Sequence, residues 1–199
     1  MIALGAYVLG CFVTGYYLVR RRVGCDLRNL GSGSAGARNV ARVLGPSGFA
    51  MVLAGDFAKG AFAVWSAQHF TNNDHLVALA MLMVVAGHIW PAQLAFRGGK
   101  GAATSFGALL VYDFHLALAL ALLFAAGFIF VRKAILPGLF AFGFLPVVST
   151  YIGHTSAQTV EISVLAGLVL IAHRRNLLSE ISHLLEPRAM QPKHNPPDL

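Results

Sequence analysis

The chain has 199 residues, 57% of them hydrophobic and only 12% charged, where ordinary soluble domains carry about 25%. That balance excludes a simple soluble core, which would need both faces of nearly every element buried, and it points to a polytopic membrane protein. Two cysteines, Cys11 and Cys25, make neither a disulfide framework nor a metal site, and the net charge of +7 has to be read from where the cations fall.

Residues 1–19 hold no charge and lead directly into Arg20, Arg21 and Arg22. A cleaved secretory signal has its charges in the reverse order, so this stretch reads as a retained first span. Further apolar stretches cover 46–67, 75–95, 102–113, 114–131, 134–151 and 156–172. Residues 102–113 are short of the roughly 20 needed to cross a bilayer. They are either a short span of their own or part of one bent element over 102–131.

The joints decide the count. Arg20, Arg21, Arg22, Arg28, Arg38 and Arg42 fill the first, Arg97 and Lys100 the third, Arg132 and Lys133 the fifth, and Arg174, Arg175, Arg188 and Lys193 the tail. The intervening joints, 68–74, around Asp113 and 149–158, hold no Lys or Arg. Basic and non-basic joints alternate, and of the 15 basic residues only Lys59 lies outside them. The positive-inside rule then gives about seven transmembrane helices, with the N-terminus outside and the C-terminus cytoplasmic. The expected fold class is therefore all-α, with one membrane-embedded domain over 1–180. The proline-rich end, 181–199, reads as a mostly disordered cytoplasmic tail.

Three basic segments carry candidate chemistry. The first contains Gly31-Ser32-Gly33-Ser34-Ala35-Gly36, then Arg38, Asn39 and Arg42. It fits the spacing of a dinucleotide loop but lacks the preceding strand, so only the physics is kept: small residues let backbone amides approach an anion, and serines donate. The second runs from His88 through Arg97-Gly98-Gly99-Lys100-Gly101 to Thr104. Paired glycines beside cations, at the start of a helix, suit a phosphate. The third is His173-Arg174-Arg175-Asn176, where His173 and Asn176 would share a helix face. Asp56 and Lys59 lie inside the second span, three apart, and are expected to pair with each other.

In this order and on one side, the three segments resemble the bacterial acyl-phosphate:glycerol-3-phosphate acyltransferases, the PlsY family. The first is similar to that family's SGNPGATN-x-x-R motif, the second to GHxFPxFxxFKGGKGxAT and the third to HRxN, with Asp56 to Gly60 similar to a DxxKG element. The resemblance implies acyl transfer from acyl phosphate to the 1-hydroxyl of glycerol 3-phosphate, giving lysophosphatidic acid for phospholipid synthesis. It implies catalytic roles for Ser32, Arg42, His88 and Lys100, and substrate binding by Gly31, Gly33, Asn39, Gly98, Gly99, Gly101, Thr104, His173 and Asn176. The setting it implies is the bacterial inner membrane, with the site on the cytoplasmic face. The partners are the two substrates and the lipid bilayer, with no nucleic acid, and the chain is expected to work as a monomer. Ser34 stands where the family usually has Asn, Ala35 where it has Pro and Arg38 where it has Thr.

No cofactor or metal is expected, since the eight histidines are scattered without ligand-like spacing. His69 and Asp74 spell the His-x4-Asp signature of another acyltransferase group, but they fall in a joint assigned to the outside, away from cytoplasmic donors. Two rival readings remain. A transporter of an organic phosphate would use Asp56 and Lys59, yet would show related halves, and none is visible. An idle lipid-binding relative would fit the altered first motif.

Overall fold

The computed structural model describes residues 1–174, 177 and 178. Asn176 and the tail 181–199 lie outside the described residues. The described chain is helical, with eight α-helices: α1 (Ile2–Cys11), α2 (Thr14–Val23), α3 (Ala37–Phe70), α4 (Asp74–Ile89), α5 (Ala102–Tyr112), α6 (Phe114–Val131), α7 (Ile135–Tyr151) and α8 (Ser156–Ala172). Four stretches are long and apolar enough to cross a membrane, Ile2–Val23, Ala37–Phe70, Asp74–Leu94 and Phe114–Val131, and α5, α7 and α8 are shorter apolar helices.

The first span is not the continuous helix the sequence suggests. Phe12 and Val13 are extended, and α2 carries the span on to Val23. Such a break frees backbone carbonyls, which hydrocarbon does not tolerate unless other groups bond them. Lys59 Nζ donates to the carbonyls of Gly10 and Phe12, at 3.3 and 2.8 Å, and Gln93 Nε2 donates to that of Cys11. The second span also differs at its start. α3 begins nine residues before Pro46, because Ala37 to Leu44 are already helical and Gly45, with φ of 69°, turns the chain between the two pieces. Pro46 then stands at the first position of the spanning part, where its missing N–H costs nothing.

Residues 102–131 form two helices. Asp113 is extended and its carboxylate accepts from the Leu116 amide at 2.8 Å, capping α6. At 1.5 Å per residue the eleven residues of α5 reach only about 16 Å, half a bilayer core. Its polar backbone is shielded by intimate packing on α3. A Cβ at Gly60 would fall on the carbonyl oxygen of Thr104, and one at Gly107 on that of Phe57. α1 and α4 use the same device, with Gly10 against the Val84 carbonyl and Gly87 against that of Tyr7. Close approach through small residues is how helices associate where lipid removes the hydrophobic drive.

The bundle has two unlike ends. Gln68, Asn72, Asp74, Asp113, His154 and Gln158, from the three joints without Lys or Arg, line one hollow of about 370 Å³. There His154 bridges Asp113 at 3.1 Å and Ser149 at 3.0 Å, and Glu161 takes His75 at 2.7 Å. The His69–Asp74 pair also falls at this end, with His69 stacked on Trp65. Residues from the basic joints meet at the other end. The alternation of joints in the sequence is thus a physical segregation in the fold.

The α3–α5 contact gives a first prediction. Gly60→Val must push the two backbones apart, at a cost of about 3 kcal/mol. A lowered melting temperature in detergent, of about 6 °C or more, is expected, and an unchanged one would mean that the two helices do not touch at this point.

Candidate active site

One cavity of about 740 Å³ opens at the basic end. Ser32, Ser34, Arg38, Arg42, Lys100 and His173 line its polar part, and Phe49, Leu53, Leu120, Phe124, Leu139 and Phe142 continue it as an apolar wall. Two helix N-termini face it. α3 starts from Gly36 and α5 from Gly101, neither start has a side-chain cap, and residues of both first turns line the cavity. Unbonded first-turn amides and the positive end of the helix dipole make each a seat for an anion.

The first loop is shaped from within. Asn39 is buried, donates from Nδ2 to the carbonyls of Leu30 at 2.8 Å and Ser34 at 3.0 Å, and accepts from the Ser32 amide at 3.0 Å. Both ends of its amide shape the loop, and Asn39 also stands on the cavity wall. Gly31 and Gly33, at φ of 55° and 70°, give the loop its turns. They are absent from the cavity wall, while Ser32 between them is on it.

The second loop departs most from expectation. The amides of Gly98 and Gly99, expected to wrap a phosphate, donate to the carbonyls of Ile89 and His88 at 3.1 and 3.0 Å. Neither glycine lines the cavity. Their lack of a side chain serves close approach instead. A Cβ at Gly98 would fall on the His88 carbonyl, and one at Gly99 on Nε2 of the His88 ring. Thr104 is fully buried, with its carbonyl against Gly60 of α3, and is not among the residues of the cavity wall. Arg97 is exposed, and within the loop Lys100 and Gly101 are the residues that reach the cavity.

The two loops are tied together. The Ala35 amide donates to the Gly98 carbonyl at 3.3 Å, and Arg28, whose guanidinium also holds Asp26 at 2.7 Å, donates to the Leu94 carbonyl. Ala35 stands where the resembled motif usually has proline. It therefore keeps an N–H for this link that proline lacks.

Beneath the loops lies a buried polar unit. Lys59 Nζ lies 2.9 Å from Asp56 Oδ1, 2.7 Å from His88 Nδ1 and 2.8 Å from the Phe12 carbonyl. An ammonium has three N–H donors and no acceptor, so these three contacts saturate it, with the longer Gly10 contact shared. Thr14 adds a donor to Asp56 at 2.9 Å. The ion pair expected from sequence is present, and it also holds His88, whose ring supports Gly99 next to Lys100. Asp56 and His88 both reach the cavity wall.

The cations perturb one another. Burial, then the charges of Arg38 and Arg42, pull Lys100 down to about 8. Burial also lowers His173, against a bond from its Nδ1 to the Val169 carbonyl at 2.8 Å. A carbonyl only accepts, so Nδ1 carries the proton and a neutral His173 keeps Nε2 as an acceptor. Sequence reasoning placed Ser32, Asn39, Arg42, His88, Lys100, Gly101 and His173 at the site. It left out Ser34 and Arg38 as departures from a motif, and Gln93 gives no local signal because its partner is a helix break.

The arrangement joins a cationic pocket, flanked by two helix N-termini, to an apolar groove between the helices. The profile of the Glycerol-3-phosphate acyltransferase family matches residues 1–183. Relatives of the same name from Desulfitobacterium hafniense and Clostridioides difficile are 44% and 37% identical, over 87% and 89% of this chain and 86% and 89% of theirs. The crystal structure of PlsY, an integral membrane glycerol 3-phosphate acyltransferase, in its glycerol 3-phosphate form superposes with a TM-score of 0.85. It is 29% identical, over 92% of this chain and 91% of that one. Its lysophosphatidic acid form gives 0.82 at 26% identity, with the same coverage. The chain belongs to the glycerol-3-phosphate acyltransferase family.

A pH dependence follows from Lys100. Below about 8 its ammonium is present in the empty site, and above that it is lost. Affinity for sulfate, a dianion across this range, should fall as pH rises through about 8, and the Lys100→Arg variant should stay flat. Titration calorimetry reads this directly, and wild-type affinity that held to the ordinary lysine value of 10.5 would contradict it.

Proposed function

We propose that this chain transfers a fatty acyl group from an acyl phosphate to the 1-hydroxyl of glycerol 3-phosphate, releasing inorganic phosphate and lysophosphatidic acid. The single observation that carries this reading is a cavity whose cationic half, with two helix N-termini, runs into an apolar half lined by Leu53, Phe124 and Phe142. Two phosphates and one acyl chain have matching places there. The site works on the cytoplasmic side of a bacterial inner membrane, where the positive-inside rule puts the basic joints, with the N-terminus outside, and one chain suffices.

The chemistry needs positioning more than acid. Acyl phosphate is a mixed anhydride with a good leaving group. The 1-hydroxyl oxygen attacks the acyl carbon, the bond from that carbon to the bridging phosphate oxygen breaks, and the hydroxyl proton passes to a phosphate oxygen of a substrate. Lys100 and Arg42 hold the phosphates and stabilise the charge that develops. Ser32 donates to the acyl phosphate. His173, with Nε2 open as an acceptor, takes a hydrogen bond from the 2-hydroxyl of glycerol 3-phosphate and so orients the nucleophile, a role that the motif extends to Asn176. His88 and the glycines hold the loop that carries Lys100. Attack is direct, with no acyl-enzyme.

Phosphate release by the purified protein, with glycerol 3-phosphate and palmitoyl phosphate, tests the reading. Turnover is expected with palmitoyl phosphate and not with palmitoyl-CoA, and Lys100→Ala should lower kcat by about 10²–10³. Near-normal activity in that variant, or a trapped acyl group on Ser32, would contradict the mechanism.

A further inference from the structure

Arg38 lines the cavity, although the resembled motif has no cation there. It lies in the first turn of α3, four residues before Arg42, so the two guanidiniums share a face of the helix. Across the cavity stands Lys100, at the start of α5. The charge of Arg38 is felt by both Lys100 and His173, which line the same cavity. Among the described residues no carboxylate pairs with Arg38, Arg42 or Lys100. The acid on the wall, Asp56, is held by Lys59 and Thr14.

Charge counting shows what this does. Each substrate phosphate carries about −1.5 to −2 near neutral pH, so the pair brings roughly −3 to −4. Arg42 and Lys100 supply two positive charges. A third cation on the cavity wall raises mutual repulsion in the empty site, and an incoming anion relieves it. Resting on the reaction proposed above, we propose that Arg38 is an additional phosphate ligand. With Arg42 and the first turn of α3 it holds one substrate phosphate, while Lys100 and the first turn of α5 hold the other. A planar guanidinium can bond two phosphate oxygens at once, which a threonine at this position cannot.

The test uses the full chain in detergent, with Arg38→Thr and Arg38→Lys. Arg38 is exposed, so its loss leaves the fold alone. Arg38→Thr should raise the KM of one phosphorylated substrate about tenfold, in line with losing one charge-assisted hydrogen bond, with kcat nearly unchanged. Arg38→Lys should recover part of it. Separate KM measurements for palmitoyl phosphate and glycerol 3-phosphate show which phosphate Arg38 holds. Two unchanged KM values would overturn the proposal. Sulfate affinity by calorimetry reads the same residue without turnover: about tenfold weaker binding in Arg38→Thr supports the assignment, and equal binding overturns it. Failure of the wild type to release phosphate would refute the reaction instead, and the sulfate result would still decide Arg38.

Discussion

The ammonium of Lys59 is the contact on which the rest depends. It sits inside the bilayer region of α3 and is fully committed: one hydrogen to Asp56, one to His88 and the remainder to carbonyls at the break between α1 and α2. A charge at that depth is tolerated only when paired, and a broken helix there only when its carbonyls are bonded. Each problem resolves the other. The break needs a strong donor, and the donor needs several acceptors away from water.

From this point the site is assembled by short steps. Lys59 fixes the His88 ring, Gly99 lies against that ring, and the carbonyls of His88 and Ile89 take the Gly99 and Gly98 amides. That sets the direction in which the chain enters α5, and so where Lys100 and the first-turn amides of α5 point. The Ala35–Gly98 bond then registers the first loop, and the start of α3, against the second. The two N-termini meet across one cavity because their loops are bonded to each other and to a common buried unit. The glycines, which as a motif suggest a cradle of amides, act here by letting backbones touch.

Much of this was legible in the sequence, for stated reasons. Alternating basic and bare joints announced which joints share an end of the bundle, because charge placement is a per-joint property that no contact alters. The structure divides the two kinds of joint between the two ends of the bundle. Asp56 and Lys59 declared a buried pair because charges inside a span need partners. The break at Phe12 and Val13 was not legible, since neither glycine nor proline marks it and its stabilising donors, Lys59 and Gln93, come from far along the chain. For the same reason the bonds made by Asn39, Gly98 and Gly99 do not show in the sequence. Their amides look free in one dimension and are bonded in three. Arg38 was visible but was set aside as a mismatch to a pattern, where its charge mattered more than its departure.

If the ion pair alone mattered, exchanging both partners for neutral groups would be close to harmless, as it often is for buried pairs. The capping role of Lys59 implies otherwise, because the carbonyls of Gly10 and Phe12 and the Nδ1 of His88 would lose their donor. Thermal unfolding in detergent of Lys59→Met, beside the paired Asp56→Asn/Lys59→Met variant, separates the two. The account predicts that both stay at least about 5 °C below the wild type, with glycerol 3-phosphate binding weakened in both. Recovery of the paired variant to the wild-type melting temperature and affinity would contradict it.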